Sequence, residues 1–71
     1  MTWDKLKEEA KKMGALIVSA SSTTPEHIWL GDYLCFYKNG RIEAEDCEEF
    51  YFVLATDRTP DQMLAIMKAL Q

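Results

Sequence analysis

The chain has 71 residues, 48 % of them apolar, and eight basic against twelve acidic side chains, a net charge of −4. That length specifies one small domain, which on folding hides only about 60 % of the surface its unfolded chain exposes and so commonly leans on a disulfide, a metal or a partner chain. The composition excludes a disordered chain, and no run approaches the roughly 20 apolar residues of a membrane helix.

Further exclusions follow from the charges and the cysteines. An acidic balance argues against nucleic acid, whose affinity rests on clustered Lys and Arg. The start MTWDKLKEEAKK lacks the hydrophobic segment of a secretion signal, so export is not expected. Two cysteines, Cys35 and Cys47, are too few for a disulfide framework, and a reducing cytoplasm is the simplest setting.

Residues 3–13 carry a helical pattern. Thr2 is placed as N-cap, and Asp4 sits in the first turn, where a carboxylate suits the helix dipole. Trp3, Leu6, Ala10 and Met13 form one apolar stripe, and Glu8 with Lys12 makes a favourable pair four residues apart. Gly14 is positioned as a left-handed cap, with Leu16 free to fold back on the last turn.

ALIVSA, residues 15–20, reads as a short strand that is apolar on both parities. SSTTPE follows as a loop; it lacks the glycine and lysine of a phosphate cradle. HIWLGDYLCFY fits either one long strand bent at Gly31 or two short strands turned at Gly31–Asp32. The single bent strand is preferred, because Ile28, Leu30, Leu34 and Phe36 then share one parity.

YKNGR marks a hairpin, and its register decides which side chains share a face. A two-residue Asn-Gly turn would pair Phe36 with Glu43 and Leu34 with Glu45, mixing apolar and charged residues on each face. A three-residue loop, Lys38-Asn39-Gly40, pairs Phe36 with Ile42 and Leu34 with Ala44 instead. Since a slip of one residue exchanges the faces, the segregated register is expected.

FYFVLA, residues 50–55, reads as the next strand, with Phe50, Phe52 and Leu54 inward. Thr59 then caps a last helix, with Pro60 at its first position and Gln62 set for a capping box. Met63, Ile66, Met67 and Leu70 fall at i, i+3, i+4 and i+7 and read as ordinary core packing. The predicted fold is therefore α+β: helix, three or four strands in an antiparallel meander, helix, with both helices on one face of the sheet. That face should carry Ile28, Leu30, Leu34, Phe36, Ile42, Phe50 and Phe52.

The opposite face is the candidate for function. Strand parity gives it Trp29, Tyr33, Tyr37 and Tyr51, with Arg41, Glu43 and Glu45 alongside. Such a face can be an ordinary wet sheet surface held by cross-strand pairs, or an apolar patch that meets a partner. The leading expectation is a non-enzymatic accessory or regulatory protein acting by protein–protein contact, with another protein or with itself as a homodimer.

Two other functions have some footing in the sequence. Glu43, Glu45, Asp46, Glu48 and Glu49 could compete, as an acidic inhibitor, for a basic nucleic-acid-binding surface. His27 and Cys35 could mark a small-molecule or metal site. However, the acids lack the spacing and central Gly of a calcium loop, and His27, Cys35 and Cys47 lack the close ligand pairs of zinc sites. No cofactor motif is present, and no third group orients His27 and Cys35 for catalysis.

Overall fold

Both helix starts expected from the sequence form. Thr2 Oγ1 accepts from Lys5 N–H at 3.1 Å and opens α1, Trp3–Lys12. Thr59 Oγ1 accepts from Gln62 N–H at 3.2 Å while Gln62 Oε1 accepts from Thr59 N–H at 2.9 Å, a complete capping box that opens α2, Pro60–Ala69. The C-terminal end of α1 closes as a Schellman motif. Ala15 N–H donates to Ala10 O and Gly14 N–H to Lys11 O, both at 3.0 Å, with Gly14 at φ +86°. Leu16 does not return to the helix; it lies exposed on a strand. Lys12 pairs with Glu9 at 3.3 Å, not with Glu8.

The computed structural model describes residues 1–45 and 51–71, and of Tyr51 the backbone alone. Between the helices lie β1 (Leu16–Val18), β2 (His27–Leu30), β3 (Leu34–Tyr37), β4 (Ile42–Glu45) and β5 (Tyr51–Ala55). They form one antiparallel sheet in the order β1-β2-β3-β4-β5, a meander. The α+β class and the helix–meander–helix order thus hold.

The sheet has five strands because residues 27–37 are two strands joined by a turn at 31–33, not one bent strand. Leu30 pairs with Leu34 and Ile28 with Phe36, so this hairpin keeps the same four side chains on one face that a single strand would.

The β3–β4 hairpin takes the segregated register. Phe36 pairs with Ile42 and Leu34 with Ala44. Tyr37 N–H donates to Arg41 O at 2.8 Å and Gly40 N–H to Tyr37 O at 3.0 Å, closing a three-residue loop with Gly40 at φ +97°. Gly40 is buried against the entry to α2, where Arg58 N–H donates to Gly40 O at 2.9 Å, while Lys38 and Asn39 stay exposed.

One layer of core lies between the helices and the sheet. Leu6, Ala10, Ile28, Phe36, Ile42, Met63 and Met67 are buried there with Trp3. Burying each large side chain of that set contributes roughly 1.5–3 kcal/mol, which makes this layer the main source of stability. Leu30 and Leu34 pack at its margin. Phe50 lies outside the described residues.

The helices do not cover the sheet evenly. Contacts of α1 run to β1 and β2, and α2 packs chiefly on α1. As a result β5 is left uncovered, and Phe52 and Leu54 are exposed rather than inward. A bulge adds to this. Ile42 pairs with Ala55 but Glu43 with Val53, which leaves Leu54 as an extra residue and puts Ala55 against the core. On α2 Met63 and Met67 are buried in the core and Leu64 packs at its margin, while Ile66 and Leu70 remain exposed on its flank.

Candidate functional site

The face turned away from the helices carries His27, Trp29, Cys35, Tyr37, Glu43 and Glu45 in register. It is packed rather than open. Tyr37 is 8 % exposed, and its ring lies 4.7 Å from that of His27, tilted by 31°. The loop before β2 folds beside it. Ser21 N–H donates to Thr24 O at 2.8 Å, and Lys38 N–H donates to Glu26 O at 3.0 Å. Thr23, Thr24 and Pro25 thereby wall a small polar cleft with Tyr37, Asn39 and Arg41.

Charges on this face are engaged internally. Glu43 is 8 % exposed, and its Oε2 lies 2.7 Å from Arg41 Nε. The Arg41 N–H is not aimed at a hydrogen-bond acceptor, so the contact is ionic rather than a directed bond. Cys35 Sγ donates to Glu45 Oε2 at 2.8 Å. Burial, then Glu45, raises the Cys35 thiol well above its ordinary value. A nucleophile needs the opposite shift, and His27 spends Nδ1 on Pro25 O at 3.0 Å. Among the described residues no group of three or more His, Cys, Asp or Glu side chains could hold a metal ion.

The expected contact surface is therefore divided. Trp29, Arg41 and Glu45 are half-buried, and Tyr37 and Glu43 are buried. Tyr33 is 61 % exposed, but it sits in the 31–33 turn and off the strands, its carbonyl accepting from Glu45 N–H at 2.7 Å. Tyr51 pairs with Glu45 across the β4–β5 ladder, and its side chain lies outside the described residues. Of the acidic run, Glu43 and Glu45 are tied down as above; Asp46, Glu48 and Glu49, like Cys47, lie outside the described residues.

The exposed apolar surface is elsewhere. Phe52 is 66 % exposed, Leu54 57 % and Leu70 58 %, with Ile66 exposed beside them; Val53, also exposed, pairs with Glu43 and lies on the other face. Between β5 and α2 runs a groove of about 560 Å³ lined by Leu34, Ile42, Leu54, Ala55, Ile66 and Leu70, with Arg58 and Gln62 also in its lining. It continues past Leu34 and Leu70 into a second hollow of about 390 Å³ that reaches Met13 and Tyr33.

A signal for this groove was present in the sequence. Residues 51–55 are apolar on both parities and carry neither a charge nor a proline. Any side of such a strand that no helix covers is left as an apolar patch. Among the described residues no helix is long and apolar enough to cross a membrane. Comparison with family models, curated proteins and solved structures finds no match to this chain.

Proposed function

We propose that this chain is a small non-enzymatic accessory protein that works by protein–protein contact, and that its contact surface is the groove between β5 and α2. The observation that carries this reading is the contiguous exposure of Phe52, Leu54, Ile66 and Leu70 around one apolar cleft. Contiguous exposed apolar patches often mark contact sites, because water contact with them is costly. Among the described residues the packed opposite face, with its paired charges, offers no comparable surface. A reducing cytoplasm is the proposed setting, which suits the protonated thiol of Cys35.

The test places a photo-cross-linking residue at Leu54, and as control at Leu16 on the far edge of the sheet, in the producing cell. An adduct of defined mass formed at Leu54 and not at Leu16 is expected. Equal labelling at both positions, or none at either, would overturn the reading.

A further inference from the structure

Phe52 pairs with Ala44, on the side of the sheet that carries the helices, yet it does not line the groove; it stands beside it, two thirds exposed. A knob therefore lies next to a hole on one surface. We infer that the groove is filled by Phe52 of a second copy of this chain, in a two-fold dimer in which each Phe52 enters the other copy's cleft. The inference rests on the reading of the groove as a contact surface, and it names the occupant.

Area supports a second copy. The exposed parts of Phe52, Leu54, Ile66 and Leu70 come to roughly 400 Å² per chain, so two copies would remove on the order of 800 Å² of apolar surface, and the polar rim at Arg58 and Gln62 brings the total towards the roughly 1,000 Å² of a specific interface. An isologous contact uses the same patch twice and leaves none of it wet.

Charge points the same way. Among the described residues Arg58 is the one charged side chain that lines the groove. A basic partner, which the net charge of −4 would otherwise favour, meets Arg58 there and finds no carboxylate among the described lining residues to pair with. Residues 51–55 and 63–67 contain no charged side chain, so the two patches meet without like charges opposed.

The bulge narrows the mode of contact. Leu54 interrupts the regular ladder in the middle of β5, and such interruptions hinder the addition of another strand to an edge. Docking through side chains, Phe52 into the cleft beside Leu54 and Ile66, does not need an unbroken edge.

Sedimentation equilibrium of the purified chain from micromolar to millimolar concentration tests this. The mass is expected to rise from 8.2 kDa towards twice that value. Added salt should promote the association, since it screens the repulsion between two net-negative chains, whereas it would weaken binding to a basic partner. Phe52→Ser and Ile66→Ser should each weaken the dimer about tenfold or more, a loss of about 1.4 kcal/mol, and Leu16→Ser should leave it unchanged. In a mixture of labelled and unlabelled chains, nuclear Overhauser effects should link the Phe52 ring to the Leu54 and Ile66 methyls of the other copy.

A chain that stays monomeric at millimolar concentration overturns the inference. So does a dimer indifferent to both Phe52→Ser and Ile66→Ser while circular dichroism shows both variants folded. A monomer whose Leu54 cross-linker still captures a different protein removes the second copy alone and leaves the contact reading standing.

Discussion

The indole of Trp3 donates from Nε1 to Glu26 Oε1 at 2.6 Å, fastening the first turn of α1 to the residue that leads into β2. Lys7 Nζ lies 3.1 Å from the same oxygen. Trp3 is buried apart from this edge, so its one polar atom is satisfied where the core meets water.

The Trp3 bond and then the Lys7 bond hold the Glu26 carboxyl below its ordinary value of 4.5. A depressed carboxyl contributes stability that is present above the unfolded value and lost as pH falls through the folded one. Acid unfolding followed by circular dichroism should therefore begin below pH 4.5 and be shallower in Glu26→Gln, which retains an acceptor for Trp3 but does not titrate. An identical acid limb in the two proteins would show that Glu26 contributes nothing to it.

Gly40→Ala should be far more damaging than Gly14→Ala. Both glycines have positive φ, but a Cβ at Gly40 would lie 3.0 Å from Arg58 N and 3.1 Å from Asp57 Cα, whereas at Gly14 it would meet nothing within 4 Å. Gly14→Ala should cost about 1 kcal/mol for the backbone conformation alone. Gly40→Ala adds displacement of rigid backbone, for a total on the order of 2 kcal/mol or more. Thermal melts should thus show a Tm loss for Gly40→Ala of roughly 10 °C, at least twice that of Gly14→Ala.

Tyr37 sets an alkaline limit. Burial, assisted by Glu43 and Glu45, pushes its phenol from the ordinary 10 up to about 12. A raised value means that the folded chain prefers the neutral phenol. Its contribution is complete below the unfolded value near 10 and is lost as pH rises through about 12. Urea midpoints should fall across that window, and Tyr37→Phe should fall less steeply.

Two phenylalanines should respond in opposite ways to truncation. Phe36 is fully buried, so Phe36→Ala should cost about 3–5 kcal/mol, enough to unfold most of so small a domain. Phe52→Ala, measured by denaturant at concentrations too low for association, should change stability by no more than about 0.5 kcal/mol. A large loss at Phe52 would mean that β5 is held by contacts other than those described.

Local chemistry made much of this fold legible. Capping by Thr2, Thr59 and Gln62 and the stop at Gly14 depend on a few neighbouring residues and could be read directly. The β3–β4 register was legible because only one pairing separates Phe36 and Ile42 from Glu43 and Glu45. The turn at 31–33 was not, since closing it on the pair Leu30–Leu34 preserves the parity of an unbroken strand. Parity also says nothing about coverage. It places Phe52 on the helix side but cannot show that α2 leans on α1 and stops short of β5. Nor can it show that Thr23 to Pro25 fold beside Tyr37, which turned an expected open aromatic surface into a packed one and left the exposed patch at β5 and α2.

Hairpin tips are usually where a protein best tolerates a grafted epitope or fluorescent reporter. Here the tip at Gly40 is a joint, seated on the backbone at Asp57 and Arg58 and bonded to it. An insertion between Asn39 and Gly40 would separate the sheet from the entry to α2. Ser19 and Ala20, exposed and ahead of the turn that Ser21 closes on Thr24, are the better place to splice a label.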